Sequence, residues 1–200
     1  MTTDDANSMK DTIRELVRTA ALSCIQDQSQ QEGFLLEETG DQLHAGHVLG
    51  NMMSIILVTG DALRITLKIH FSMDSAKRLS YSVYRCKTAA DVEDGKAIDF
   101  LKELCNLIAG QLVRNFESVS IPMGISLPLC TRGFYEVFAD YSPTEKPLIR
   151  FSDVWRLSLN DASVYGSVMY EISNAERLSQ VSDIRIEEEP EDDDAGFDFL

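Results

Sequence analysis

The sequence predicts an α+β fold in which an α-β-β-β-type unit occurs twice and the strands form one antiparallel sheet packed against helices. Three observations predict it. Amphipathic helical stretches open both halves of the chain, at roughly Met9 to Gln28 and Gly95 to Glu117. Alternating strands follow: Leu63, Ile65, Leu67, Ile69 and Phe71 interleave with Arg64, Thr66, Lys68 and His70, the pattern of a sheet with one covered face. Short stretches also echo one another about a hundred residues apart. Gly60-Asp61-Ala62 answers Asn160-Asp161-Ala162, and Ala76-Lys77-Arg78-Leu79-Ser80 answers Ala175-Glu176-Arg177-Leu178-Ser179.

The first helix carries Ile13, Leu16, Val17, Ala20, Cys24 and Ile25 on one face. A connection rich in Glu and Gly leads to an apolar strand, Val48 to Val58, and a turn at Thr59-Gly60-Asp61. After the alternating strand, Asp74 reads as the cap of a helix over Ser75 to Arg85. The second half repeats this order. Its helix is followed by strand-like segments at Ile125 to Cys130, Phe134 to Phe138 and Ile149 to Leu159, then a turn at Asn160-Asp161. The strand Ser163 to Ile172 places Val164, Val168, Tyr170 and Ile172 on one face, and Ser173 with Glu176 reads as a capping box for a short closing helix.

The expected organisation is a flexible N-terminus over 1–7, a folded domain over 8–182 with half-repeats at about 8–90 and 91–182, and an acidic disordered tail over 183–200. That tail holds nine acidic residues and one base, so about half of the net charge of -15 is concentrated there. The acidic spacer leaves Phe197, Phe199 and Leu200 available to a groove. Strong net negative charge argues against nucleic acid and anionic membrane as partners. The N-terminal residues lack the basic and apolar regions of a signal peptide, and no apolar run is long enough to span a bilayer, so a cytoplasmic location is expected.

Cys24, Cys86, Cys105 and Cys130 form no Cys-x-x-Cys pair, and reduced, mostly buried thiols are expected. His44 and His47 beside Asp41 lack a third ligand at suitable spacing, so no metal site is expected. His70 shares a strand face with Arg64 and Lys68 and reads as solvated surface. Dinucleotide, phosphate-loop, nucleophile-elbow and metal-helix motifs are all missing from the sequence.

The second long helix carries the chemistry. About 100° per residue places Asp99, Glu103, Asn106 and Gly110 opposite Ile98, Leu101, Cys105, Ile108, Leu112 and Phe116. Asn is a poor mid-helix residue, so Asn106 asks for a reason. An amide is no general base, but it can hold a water in a chosen direction for in-line attack on a phosphoryl group. Glu103, one turn away, can grip a lysine beside that phosphate, and Gly110 leaves the helix bare for another protein's loop. The opening helix repeats the spacing as Asp11, Glu15 and Arg18, pointing away from its apolar stripe but lacking the amide.

These residues resemble the CheC and CheX chemotaxis phosphatases, whose signature is Asp or Ser, three residues, Glu, two residues, Asn, and a proline a little over twenty residues later. Asp99, Glu103, Asn106 and Pro128 match it, as does the run Asn106 to Gly110, and the resemblance spans residues 8 to 180. One complete triplet makes the chain closer to CheX than to CheC. The resemblance implies a CheC-like fold, a homodimer, and a phosphorylated CheY-like response regulator as substrate. It assigns Asn106 to orienting the attacking water and Glu103 to the regulator's active-site lysine. It implies that the chain has no cofactor of its own, the Mg2+ being bound by the regulator. Asp99, Gly110 and Pro128 would support the motif, Pro128 by fixing the chain where it returns to the sheet. The alternative is a non-catalytic binding or scaffold module, as in the related flagellar switch proteins.

Overall fold

The computed structural model describes residues 3–40, 52–132 and 149–184. Helix α1, Thr3–Ser29, starts ahead of Met9 and takes in part of the N-terminal segment expected to be flexible. The apolar stripe marks only the packed turns and gives no signal for the turns ahead of it. Strand β1, Leu35–Gly40, forms where the sequence suggested only a connection. Its two glutamates mask it, yet it is an edge strand on which Glu37 pairs with Arg156 at 3.2 Å.

β2, Met52–Thr59, and β3, Leu63–Phe71, form a hairpin closed by Gly60 N–H donating to the Leu63 carbonyl at 2.8 Å. The expected start at Val48 lies outside the described residues. Helix α2 spans Met73–Ser80 and is capped by Ser72, whose hydroxyl accepts from Ser75 N–H at 3.0 Å. Asp74 is not the cap: it sits inside the first turn and pairs with Arg78 at 2.8 Å. The helix stops short of Arg85 because the chain turns back, with Cys86 N–H bonded to the Tyr81 carbonyl at 2.9 Å and Arg85 at φ 54°.

Helix α3 spans Asp94–Ser118, close to the expected bounds. The expected strand Ile125 to Cys130 is split into β4, Gly124–Ile125, and β5, Leu129–Arg132. Phe134 to Phe138 lies outside the described residues. β6, Ile149–Leu159, and β7, Ala162–Ile172, meet at Asn160-Asp161, with Asn160 at φ 51°, a left-handed conformation that Asn tolerates. No capping box forms at Ser173. Its hydroxyl donates to the Asp61 carbonyl at 2.6 Å, Asn174 accepts from Arg177 N–H at 3.3 Å, and only 3-10 turns follow, Glu176–Leu178 and Val181–Asp183.

The seven strands make one antiparallel sheet in the order β1-β6-β7-β3-β2-β4, with β5 also pairing β2. Its centre is the long pairing of β3 with β7, from Leu63↔Ile172 to Phe71↔Val164. The edges are exchanged: β1 of the first half pairs β6 of the second, while β4 and β5 of the second half pair β2 of the first. In the β3–β7 register every paired couple is an odd number of residues apart, so a two-fold axis through a couple requires an odd offset between halves. The hairpin turns Asp61-Ala62 and Asn160-Asp161 are 99 positions apart, which puts the axis on Lys68↔Ser167. The echo of Gly60-Asp61-Ala62 in Asn160-Asp161-Ala162 is therefore one residue out of structural register, whereas that of Ala76 to Ser80 in Ala175 to Ser179, 99 positions on, is in register.

All helices pack on one face of the sheet. The core there joins Ile13, Val17, Ile25, Leu101, Leu104, Ile108 and Leu112 to Ile56, Ile65, Leu67, Ile69, Val168 and Tyr170. The opposite face is not solvated surface, as the alternation in β3 suggested. Lys68 is 3% exposed and His70 8%, with His70 Nε2 at 2.9 Å from the Ser167 hydroxyl, and Met53, Ile55 and Tyr165 are buried on that same face. Alternation tells which residues share a face, not what covers each one. The apolar run from Met52 to Val58, broken only by Ser54, carried the better signal, since both of its faces are mainly apolar.

Trp155 is fully buried across from Gly166, its register partner in β7. A Cβ built on Gly166 would lie 2.1 Å from the indole, so only glycine fits. Gly166→Ala is expected to lower stability by about 3 kcal/mol, read as a lower urea midpoint, and Trp155→Leu in that background to recover part of it.

All four cysteines are free thiols, two of them half-buried. Burial pushes Cys24 up to about 11 and Cys105 up to about 12. In the folded chain at pH 8, a thiol reagent should therefore modify Cys86 and Cys130 and leave Cys24 and Cys105 unmodified, as peptide mass mapping would show. Because the folded values lie above the ordinary 9.0, stability is full below about pH 9 and falls as the unfolded thiols ionise between 9 and 12. Cys105→Ala should flatten that fall.

Candidate functional site on helix α3

Residues of α3 that face the sheet, Leu101, Leu104, Cys105, Ile108 and Leu112, are fully buried, which fixes the helix's rotation. Asp99 and Glu103 are therefore exposed, while Asn106 and Gly110 are half-exposed. Asp99 lies 3.6 Å from Lys102 Nζ. Asn106 Nδ2 donates to Glu103 Oε2 at 3.1 Å, an orientation set by chemistry because a carboxylate only accepts. The amide oxygen of Asn106 points to no partner among the described residues. A Cβ on Gly110 would meet only the Arg114 guanidinium, at 3.6 Å, so the glycine keeps the outer surface low without being required by packing.

Pro128 lies in the break between β4 and β5. There Ser126 holds the chain to β2: its N–H donates to the Leu57 carbonyl at 2.9 Å and its hydroxyl accepts from Leu57 N–H at 3.0 Å. Proline has no N–H to continue a ladder, so pairing stops and resumes at Leu129. The resumed strand places Cys130 opposite Ser54 and electrostatically close to Cys105 and Lys102. The strand that resumes after Pro128 thus lies against the flank of α3 that carries Lys102 and Cys105. Sequence reasoning missed Tyr84, which leans on the start of α3. Its hydroxyl donates to the Lys96 carbonyl at 2.9 Å, and burial together with Asp99 raises its pKa.

Helix α1 does not present the copy of this stripe that the spacing suggested. Asp11 and Glu15 are exposed, but Arg18 is only 15% exposed and turns toward the sheet. Its Nε and Nη2 meet Asp153 Oδ2 and Oδ1 at 2.8 and 2.5 Å, and Nη1 bonds Glu38. Asp153 is 2% exposed, and its carboxylate holds the Arg18 pKa above its ordinary value. At the offset of the hairpin turns, the counterpart of Asp153 in β2 is Ser54, beside Cys105. A charge in the sheet thus captures the helix residue in one half, and a small neutral residue leaves Asn106 outside in the other. Sequence spacing alone gave no sign of this difference.

The histidine pair at His44 and His47, and the tail with Phe197, Phe199 and Leu200, lie outside the described residues. Among the described residues no group of three His, Cys, Asp or Glu side chains could hold a metal, and no helix is long and apolar enough to cross a membrane.

No family model matches the chain, and no curated protein matches it in sequence. Solved structures do match in fold. A chemotactic CheC-like protein from Shewanella oneidensis aligns at 11% identity and TM-score 0.60, over 78% of this chain and 96% of that one. The CheX-CheY-BeF3-Mg2+ complex from Borrelia burgdorferi aligns at 18% identity and TM-score 0.57, over 80% of this chain and 97% of that one. The FliM-SpeE complex from H. pylori aligns at 11% identity and TM-score 0.55, over 92% and 97%. The chain has the CheC-like fold.

The Arg18–Asp153 pair makes a direct test of the asymmetry between the halves. Arg18→Ala leaves a buried carboxylate unpaired and should cost about 3–5 kcal/mol, measured by chemical denaturation. The double change Arg18→Met with Asp153→Leu should recover most of that loss.

Proposed function

We propose that this chain is a CheX-like phosphatase that accelerates hydrolysis of the phosphoaspartate of a CheY-like response regulator. The observation that carries the reading is Asn106: an amide on the outer face of a rigid helix, its nitrogen held by Glu103 and its oxygen open to water. The Borrelia burgdorferi match, a complex of CheX with CheY, BeF3 and Mg2+, supports a partner of the CheY type.

In this reading Asn106 accepts a hydrogen bond from the attacking water through Oδ1 and directs it in line with the phosphorus. Glu103 leaves Asn106 and pairs with the regulator's active-site lysine, which sets the register of the two proteins. The Mg2+ would be held by the regulator, where it would supply positive charge beside the phosphoryl group, and the chain would contribute no metal or cofactor of its own. Asp99 holds Lys102 on the same stripe, Gly110 admits a loop of the regulator, and Pro128 fixes the neighbouring edge strand. A homodimer belongs to the same proposal, as does work in the same compartment as the cytoplasmic regulator.

The second reading is a scaffold that binds a regulator without turnover, supported by the fold match to the FliM-SpeE complex. Phosphate release from a panel of phosphorylated receiver domains separates the two. The phosphatase reading expects faster release with the intact chain, a loss of about 10²–10³-fold for Asn106→Ala with binding largely kept, and weaker binding and release for Glu103→Ala. If the intact chain leaves the decay of every receiver unchanged, the scaffold reading replaces it.

A further inference from the structure

The two-fold axis gives each hairpin turn a counterpart, and the two turns are held differently. At the turn of β2 and β3 the segment after β7 folds back: Ser173 and Asn174 N–H both donate to the Ala62 carbonyl, and the Arg177 guanidinium meets Asp61 Oδ2 at 2.9 Å. At the offset of the turns, Arg78 is the counterpart of Arg177, and Asn160 that of Asp61. Asn160 is neutral, and Arg78 turns instead to Asp74 of its own helix, at 2.8 Å. Among the described residues no hydrogen bond or ion pair closes on the side chain of Asn160, Asp161 or Lys87.

The clamp that Arg177 makes at one turn is thus missing at the other, and a cleft of about 380 Å³ lies there. Arg78, Tyr81, Lys87, Leu159, Asn160 and Asp161 line it. Clefts of this size take small metabolites. Its lining carries both signs of charge. Asp74 holds Arg78 through Nε, so the terminal nitrogens remain to donate, and Lys87 adds an ammonium. The turn offers the Asp161 carboxylate and the Asn160 amide, while Tyr81 and Leu159 add apolar surface. A simple anion meets repulsion from Asp161, and a simple amine from Arg78 and Lys87. A ligand that carries both charges satisfies the whole lining.

We propose that this cleft binds a free α-amino acid with an apolar side chain. Its carboxylate pairs with Arg78 and Lys87, its ammonium with Asp161 and Asn160, and its side chain packs on Tyr81 and Leu159. None of these residues belongs to the α3 stripe, so this site is independent of the proposed phosphatase activity.

The test follows backbone amide NMR signals of the intact chain as L-leucine, and separately L-phenylalanine, is added. Expected is a shift at Thr88, Asn160 and Asp161 that saturates below about 10 mM, with Asp61 at the clamped turn unmoved. N-acetyl-L-leucine and L-leucine amide each lack one charge and should bind about tenfold more weakly, as should L-leucine to Lys87→Ala and to Asp161→Asn. Both positions are exposed, so neither variant should lower the urea midpoint. No saturable shift with either amino acid would overturn the proposal, and so would unchanged binding in the two variants. Equal binding of N-acetyl-L-leucine would overturn it as well, because the cleft would then select anions alone.

Discussion

The pairing of β3 with β7 is the constraint on which the rest of the structure depends. It is the seam between the two halves, and each half gives away its edge strand across it: β1 goes to β6, while β4 and β5 go to β2. The helices cross over in the same way. α1 packs toward β6 and α3 toward β2, so every helix rests on strands from the other half. Neither half can cover its own sheet alone, and the chain must pay a long loop closure before its core forms. That exchange also fixes the rotation of α3, since the residues it buries are chosen by strands a half-chain away.

The duplication explains why the two long helices do different work from similar sequence. The spacing Asp-x3-Glu-x2 occurs on both, but the residue that follows meets a different sheet. Under α1 the sheet offers Asp153, and an arginine there is drawn inward into a two-bond ion pair. Under α3 the corresponding strand offers Ser54, which cannot hold a charge, and the buried neighbour is Cys105 rather than Asn106. An asparagine inside a helix costs about 0.5–0.7 kcal/mol relative to alanine. Among the described residues nothing in the packing of α3 requires it, because its side chain bonds only to Glu103 on the outer surface.

The sequence showed the outward stripe of α3 and the bounds of β3 and β7, because each is written locally: a helical period in one case and an alternating period in the other. What it hid was written non-locally. β1 is too acidic to look like a strand and exists because β6 needs a partner. Lys68 and His70 looked solvated because alternation in β3 says nothing of the layer beyond it. Arg18 looked like surface because its partner Asp153 is remote in sequence, and Asp153 itself sits in a strand that gives no hint of charge capture. The caps failed for a related reason. Ser72 and Asp74 are both good cap residues, and the choice between them follows from where β3 ends.

The Glu103–Asn106 hydrogen bond gives the proposed site a physical order of events. It joins exposed groups three residues apart on one helix, the kind of pair worth about 0.3–0.5 kcal/mol, so it orients both side chains without committing them. While the bond stands, Glu103 uses one oxygen on the amide, and Asn106 has its nitrogen occupied. A lysine brought by a partner is a stronger ligand for the carboxylate than a neutral amide, because both groups are then charged. On the proposed reading, Glu103 would turn to it and release the amide nitrogen as the partner's phosphoryl group arrives. Asn106 can then hold a water by its oxygen while its nitrogen faces the phosphoryl oxygens. In this order, recognition of the lysine and readiness of the amide are one event, and a protein lacking that lysine would leave Asn106 still bonded to its neighbour.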